Sequence, residues 1–310
     1  MGKTKKQHYV PQFLLRRFSV KLNKKPKLWT LDKMTKAVRL SSTRDVAHEN
    51  YFYEYNDDNG TSLKLEDLMA KIDSTGGGII KRIIDKETLQ LLPDDRVWLS
   101  YFVACQILRV PMIRKDMENL RSMIIHKWGP EVSAEGDERT IGDYGLDDDK
   151  LSSLKMIQDA PEFAKLLQTK VWILNRAPKN CSFIIGDNPV TRHNMTDRGL
   201  RGNLGIDNKG IELFMPLSPT YCIHIICPFL AELACCNQHL AENYIDAIKN
   251  GTPVDMQPEN VEFVNSLQVI WSERFVFAQN RSEMEMPLNM LRTNPEFSNG
   301  GGVRQRPEDA

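Results

Sequence analysis

The chain has 310 residues, of which 41% are hydrophobic, so it is long enough and apolar enough to bury a substantial core. Lysine plus arginine and aspartate plus glutamate number 41 each, so the overall charge favours neither nucleic acid nor a membrane surface as partner. No apolar run is long enough to span a bilayer, and no hydrophobic signal-peptide core follows the opening lysines. We therefore predict a cytoplasmic protein without a membrane partner, and the sequence leaves its oligomeric state open.

The first motif in the chain is a polar and aromatic stretch at residues 7–18. Pro11 fits the first turn of a short helix, on which Gln12 and Arg16 share one face because they are four residues apart. His8 then lies just before the helix, where free backbone N–H groups favour an anion such as phosphate. The alternative is that the aromatic residues pin this segment to the core and that its polar groups are only hydrogen-bonded or solvated.

The next part of the chain is predicted to form short elements. Two apolar runs at Lys27–Leu31 and Ala37–Leu40 flank a polar connection, which predicts a β-hairpin. Ser42–Glu49 is predicted as a short helix. The aromatic run Tyr51–Tyr55 is predicted as a strand that ends at an Asn- and Gly-containing loop, Asn56–Gly60.

A helical segment is predicted for the middle of the chain. Apolar residues recur at helical spacing over Leu63–Asp85, although Gly76–Gly78 weakens a continuous helix and predicts a break. This glycine triplet lacks the lysine and hydroxyl residue of a phosphate-binding loop. Asp94–Trp128 carries a broad apolar surface that Pro111 is expected to kink or divide, and Leu151–Gln168 is predicted as a further helix.

Downstream, the apolar residues change to the spacing of buried strands. The predicted strands are Lys170–Leu174, Ser182–Ile185, Ile211–Met215, Tyr221–Ile226 and Arg274–Ala278, with a helix at Pro258–Trp271. Because the elements do not alternate regularly, we predict an α+β fold in which a helical middle subdomain packs on a mainly antiparallel sheet, with an N-terminal hairpin. We expect a single domain over residues 1–285, with the helical subdomain at about 63–168, and a mobile tail over 286–310.

One candidate for ligand binding lies in the long helical segment. Gln106 and Arg109 are three residues apart, and Pro111 redirects the chain before Arg114. An amide and two guanidinium groups could thus point at one ligand, and arginine has donors that match phosphate or carboxylate. The same residues would suit an internal salt bridge equally well, so both interpretations stay open.

A second candidate follows the predicted strand that ends at Ile185. Asp187 and Asn188 precede a proline, and a rigid strand would hold their side chains in place, so Asp187 is a candidate base, divalent-metal ligand or partner of His8. The alternative is a turn in which these side chains bind local backbone N–H groups. Neither a serine-hydrolase elbow nor a zinc-protease helix is present, and the six cysteines lack the spacing of a zinc knuckle.

Together these motifs resemble the successive landmarks of the bacterial domain-of-unknown-function 4238 family over nearly the whole chain. The landmarks are His8–Phe13 with Phe18, Gln106 with Arg109 and Arg114, Asp187–Pro189, Pro216–Pro219 and Asn265. Gly186 departs from the pattern, in which a serine is expected. The family name carries no reaction, so the resemblance implies the extent of the domain and the positions of its landmarks.

The leading functional hypothesis is an intracellular bacterial enzyme acting on phosphodiester or nucleotide substrates, such as a nuclease used in phage defence or toxicity. His8 and Asp187 would be catalytic, by moving a proton and by orienting His8 or holding a divalent metal. The substrate would be bound by Gln12, Arg16, Gln106, Arg109, Arg114 and Asn188.

Two alternatives stay open. The first is a non-catalytic regulatory protein that binds nucleic acid, a nucleotide or a protein partner, and the second is that the polar motifs are purely structural. The hypotheses differ in whether His8, Arg109 and Asp187 converge on an open cleft, converge while buried, or never meet.

Overall fold

The computed structural model describes residues 5–22, 25–56, 62–194, 203–236 and 241–299. Over these residues the fold is α+β, as the sequence predicts, with helices in the middle of the chain and mainly antiparallel strand pairing. The strands are, in chain order, β1 (Lys6–His8), β2 (Val20–Leu22), β3 (Lys25–Asp32), β4 (Ala37–Ser42), β5 (His48–Asn50), β6 (Glu54–Asn56), β7 (Ser62–Lys64), β8 (Val171–Arg176), β9 (Ile185–Gly186), β10 (Thr191–Asn194), β11 (Ile211–Pro216), β12 (Tyr221–Ile226), β13 (Val254–Asp255) and β14 (Phe275–Ala278).

Most of the helical residues lie between the first group of strands and β8. Within the described ranges, no helix has the length and the apolar character that crossing a membrane requires. The helices are α1 (Gln12–Arg17), α2 (Glu66–Lys86), α3 (Pro93–Leu108), α4 (Pro111–Trp128), α5 (Leu146–Met156), α6 (Ala160–Gln168), α7 (Pro228–Cys236), α8 (Ala241–Asn250), α9 (Pro258–Trp271) and α10 (Glu285–Thr293).

The two larger sheets have five strands each. One has the order β10, β11, β12, β8, β13 and is antiparallel except for the pair of β13 with β8. In the other, β3 pairs with β2, β4 and β14, while β14 also pairs with β9. The predicted hairpin is therefore confirmed as β3 and β4, and the predicted helix at Pro258–Trp271 is confirmed as α9.

The segment from Ser42 to Tyr55 differs from its prediction. Ser42–Glu49 forms no helix, because β5 pairs with β1 and Ala47 has a φ of 50°, which a right-handed helix does not allow. The predicted strand Tyr51–Tyr55 opens with a turn, and β6 starts only at Glu54. Pairing with a distant strand thus decides the structure here. The predicted loop that follows lies mostly outside the described residues.

Helix α2 runs without a break through Gly76–Gly78, so the predicted interruption is wrong. Gly76 allows a close helix contact, because a Cβ at this position would lie 2.6 Å from Cδ2 of Phe102 on α3. The predicted division at Pro111 is confirmed, since α3 ends at Leu108 and α4 begins at Pro111. The single helix predicted over Leu151–Gln168 is instead two, α5 and α6.

Of the strand predicted at Ser182–Ile185, only Ile185 belongs to a strand, β9, because side chains of α9 take the place of a strand partner. The Asn265 side chain accepts a hydrogen bond from the Ile184 N–H (3.0 Å) and donates one to the Ser182 carbonyl (2.9 Å). Gly186 packs on the same helix, where a Cβ would lie 2.8 Å from the Gln268 carbonyl oxygen. This contact explains why glycine stands at the position where the family landmark suggests serine.

The predicted C-terminal tail begins as a packed element. Helix α10 buries Leu291 completely in an apolar cluster with Leu31, Val276 and Met284. Residues 286–299 therefore have a packing partner that the local composition did not indicate. Residues 300–310 lie outside the described residues, and the single-domain organisation stays a prediction.

Candidate functional site

An open cleft of about 560 Å³ lies between the N-terminal motif and one face of α2. The residues that α2 contributes recur at helical spacing, so they form a continuous stripe along the helix. The cleft is lined by Lys6 of β1, by His8, Pro11, Gln12 and Phe13 of the N-terminal motif, and by Tyr53. Helix α2 supplies Glu66, Met69, Ala70, Asp73, Ser74, Gly77, Gly78 and Lys81. The predicted residues His8 and Gln12 therefore share a solvent-reachable cleft.

The core holds the N-terminal motif against α2. Helix α1 starts just after Pro11, as predicted, and buries Leu14 and Leu15 completely, with Phe18 buried immediately after it. Tyr53 donates a hydrogen bond from its hydroxyl to the His8 carbonyl at 2.9 Å. Apolar burial and this hydrogen bond fix the backbone of His8, so its ring is presented from a rigid position.

The imidazole of His8 is held in its neutral form. Burial, with a smaller contribution from the neighbouring His48 ring, lowers the pKa of His8 to about 4. The two rings face each other across β1 and β5, with centroids 5.2 Å apart. A neutral imidazole has one unprotonated nitrogen, which is the form that a general base requires, and the Gln12 amide nitrogen lies 3.5 Å from Nδ1 and 3.4 Å from Nε2 of the ring.

Two carboxylates line the cleft from α2. Glu66 and Asp73 are seven residues apart, so they lie on the same face two turns from each other. Burial raises the pKa of both groups, and for Glu66 the nearby carboxylate of Asp73 raises it further. The Arg109 guanidinium group opposes this rise for both carboxyl groups, and both line the same cleft as His8.

Arg109 and Gln106 stand behind the wall of the cleft. The side chain of Arg109 is fully buried, and its guanidinium group binds Asp73 Oδ1 at 2.6 Å and Gln106 Oε1 at 2.8 Å. Gln106 in turn donates to the Tyr9 carbonyl at 3.0 Å. The predicted Gln–Arg group therefore acts through Asp73, by linking the N-terminal motif to α2 and fixing the direction of the carboxylate.

The other predicted binding residues lie elsewhere. Arg16 is exposed on α1, where its guanidinium group donates to Gln12 Oε1 at 2.5 Å. Arg114 forms the salt bridge that the sequence allowed, with Glu49 at 3.1 Å, and stacks over the Phe52 ring. It is absent from the described residues that line the cleft.

Asp187 and Asn188 are also outside the described cleft lining. Asp187 is 1% exposed, and its two oxygens accept hydrogen bonds from the backbone N–H groups of Glu273, Arg274 and Phe275 at 2.7–2.9 Å. The buried amide of Asn188 contacts the sulfur of Met112 at 3.2 Å. Asp187 thus has the hydrogen bonds of an anchor between the end of β9 and the start of β14, so the proposed site omits both residues.

A second polar cluster was not predicted from the sequence. His193, Glu212 and His224 meet across β10, β11 and β12, with both rings hydrogen-bonded to the carboxylate at 3.1 and 3.0 Å. Burial of Glu212 raises its pKa, but the two imidazoles outweigh this and lower it to about 2. Among the described residues, no group of three or more His, Cys, Asp or Glu side chains could hold a metal ion.

We expect His8 to make stability depend on pH. Because its folded-state pKa is about 4 and its ordinary value is 6.5, the unfolded chain binds a proton between these values while the folded chain does not. The free energy of unfolding should therefore not change through this titration above pH 6.5. It should fall as the pH decreases from 6.5 toward 4, and it should level off below pH 4. Thermal unfolding of the wild type and His8→Gln at pH 7, 6 and 5 should show a smaller decrease in Tm for the variant. An equal decrease in both proteins would contradict the expectation.

Comparison with known proteins supports the resemblance found in the sequence. No curated protein and no solved structure matches the chain significantly. A family model described as "Protein of unknown function (DUF4238)" matches residues 6–282, which is most of the chain. All the landmarks, from His8 to Asn265, fall within this range. The chain therefore belongs to the DUF4238 family.

Proposed function

We propose that the protein is an enzyme that acts on phosphodiester or nucleotide substrates in the cleft around His8. The observation that supports this proposal best is the joint presence of a neutral imidazole and two carboxyl groups of raised pKa on the walls of one open cleft. Titratable groups that are perturbed in this way and face a cleft are typical of catalytic sites.

The proposed roles follow from the placement of these groups on the walls of the cleft. His8 accepts a proton from the attacking water as its oxygen bonds to phosphorus, and Glu66 or Asp73, whose pKa is raised by burial, supplies a proton to the oxygen whose bond to phosphorus breaks. Lys6 and Lys81, on the cleft wall, stabilise the negative charge on the phosphoryl oxygens. Gln106 and Arg109 are positioning residues, since they act through Asp73.

The biological setting is part of the proposal. All six cysteines are free thiols, as expected in a reducing compartment, so we propose that the protein works in the bacterial cytoplasm. A nuclease used in phage defence or toxicity would suit such a setting. A divalent metal would have to be bound jointly by the substrate phosphate and the α2 carboxylates, because the described side chains do not supply a full ligand set.

The test is an activity assay on labelled DNA, RNA and mononucleotides, with and without magnesium or manganese. His8→Ala should lower kcat/KM by about 10²- to 10⁴-fold, the range typical for the loss of a general base. Glu66→Gln and Asp73→Asn should show which carboxyl group is the acid. His126→Ala is the matched control, since His126 is exposed in the last turn of α4. Absence of turnover on every substrate, or equal turnover in the His8 and His126 variants, would refute the proposal.

A second candidate function is binding without catalysis. It is favoured by the pairing of the cleft lysines, since Lys6 binds Asp45 at 2.8 Å and Lys81 binds Asp85. Lysines that are paired in this way stabilise the charge of a phosphoryl transition state less. Such a protein would bind nucleic acid, a nucleotide or a protein partner without consuming it. For nucleic acid, the affinity would fall steeply as salt concentration rises.

A further inference from the structure

Close packing requires glycine at positions 76 and 77 of α2, but not at Gly78. A Cβ at Gly76 would lie 2.6 Å from the Phe102 ring, and one at Gly77 would lie 3.2 Å from the Phe13 ring. A Cβ at Gly78 would meet no atom within 4 Å. Glycine in a helix interior is less stable than alanine, because the unfolded chain has more conformations to lose. The fold of the described residues therefore gives no steric reason for glycine here.

The position of Gly78 suggests another reason. It is exposed and lies on the α2 face that lines the cleft, beside Ser74 and one turn before Lys81. Without a side chain, the helix backbone itself forms this part of the cleft surface, and Phe13 lines the same cleft. A flat group can therefore approach the backbone closely here, as at other sites where glycine admits a ligand.

The polar groups lie on either side of this flat surface. At 1.5 Å per residue, Lys81 is roughly 4.5 Å from Gly78 along the helix axis in one direction, and Asp73 is roughly 7.5 Å from it in the other. Lys81, whose ammonium group is paired with the exposed Asp85 carboxylate, therefore stands at one end of the stripe, and carboxylates stand at the other. The whole distance of roughly 12 Å is that of a single small ligand, and the cleft of about 560 Å³ has the size of a small-molecule site.

We infer that the cleft binds one nucleotide unit, with its planar base against the bare backbone at Gly78, a phosphate group near Lys81 and hydrogen-bond donors of the sugar or base facing Asp73. This inference rests on the proposed function and specifies its substrate. It makes Gly78 the residue that determines specificity for ligands that carry a base. It also separates recognition at Gly78 from proton transfer at His8.

The test uses adenosine monophosphate, uridine monophosphate, ribose 5-phosphate and inorganic phosphate as probes, with affinities measured by calorimetry. Wild type should bind the nucleotides at least tenfold more tightly than ribose 5-phosphate. Gly78→Ala should weaken nucleotide binding several-fold and Gly78→Leu at least tenfold, whereas phosphate binding should not change. Since a Cβ meets nothing at this position, Gly78→Ala should also raise Tm by about 2 °C.

Two controls make the result specific. Gly76→Ala should lower Tm because of the Phe102 contact, which shows that the gain at Gly78 is local. Lys71→Ala changes an exposed α2 residue outside the described cleft lining and should leave nucleotide affinity unchanged. Unchanged nucleotide affinity in Gly78→Leu, equal binding of ribose 5-phosphate and nucleotides, or no nucleotide binding at all would overturn the inference.

The outcomes also separate this inference from the proposed function. Nucleotide binding that depends on Gly78, without turnover of any substrate, would support the inference and refute the enzymatic proposal. Turnover that depends on His8 but has an unchanged KM in Gly78→Leu would do the reverse.

Discussion

Replacing Arg109 by methionine is expected to lower the free energy of unfolding by about 3–5 kcal/mol, the usual cost of removing one partner from a buried ion pair. Methionine fills much of the same volume, so the loss would come mainly from electrostatics. Asp73 would lose the 2.6 Å contact with the guanidinium group, and Gln106 Oε1 would lose both of its donors. Chemical denaturation monitored by circular dichroism measures this change.

A double variant separates the pair from its surroundings. Asp73→Asn combined with Arg109→Met removes the uncompensated carboxylate, so it should recover part of the stability lost in Arg109→Met alone. Any turnover that depends on the Asp73 carboxyl group should not be recovered, because the double variant lacks that group. Arg114→Met is the control, since its partly exposed pair with Glu49 should contribute about 1 kcal/mol or less. A loss below about 1 kcal/mol in Arg109→Met would show that the network is not important for the fold.

The sequence predicted the fold best where local signals and tertiary packing agree. The hairpin of β3 and β4, the helix α9 and the division at Pro111 each have a periodic pattern with clear turn or proline signals. The prediction was wrong at Ser42–Glu49 and at the glycine triplet, where a partner distant in the sequence determines the local structure. Strand β1 pairs with β5, and Phe102 of α3 packs against Gly76. No local window contains these partners.

The candidate site was predicted in part for the same reason. His8 and Gln12 belong to a compact local motif, so their joint position in the cleft could be predicted. Glu66 and Asp73 were missed, although their spacing of seven residues on a long amphipathic helix was a usable signal for two carboxylates on one face. Which element faces that stripe depends on the burial of α1 in the core, and the sequence alone does not specify it.

Asp187→Ala is expected to destabilise the protein by about 3 kcal/mol, because it leaves three partly buried backbone N–H groups without their charged acceptor. Burial raises the pKa of Asp187, while the backbone hydrogen bonds and the nearby Lys33 ammonium group oppose this rise. Lys33 is itself buried and donates to the Val269 and Ser272 carbonyls, and the Asp187 carboxylate interacts with its charge electrostatically. Denaturant unfolding at pH 7 measures the loss.

Asp187→Asn distinguishes an anchor from a catalytic residue. The amide keeps one oxygen but places an NH₂ group opposite a backbone N–H, so we expect a loss of stability close to that of the alanine variant. The fraction that stays folded should keep any turnover that the wild type has under the proposed function, since Asp187 is buried away from the described cleft lining. Glu162→Ala, which breaks an exposed pair with Lys165, should change stability by about 1 kcal/mol at most. An Asp187→Asn protein with wild-type stability and no activity would instead indicate that this carboxylate is catalytic. The active site would then lie outside the His8 cleft.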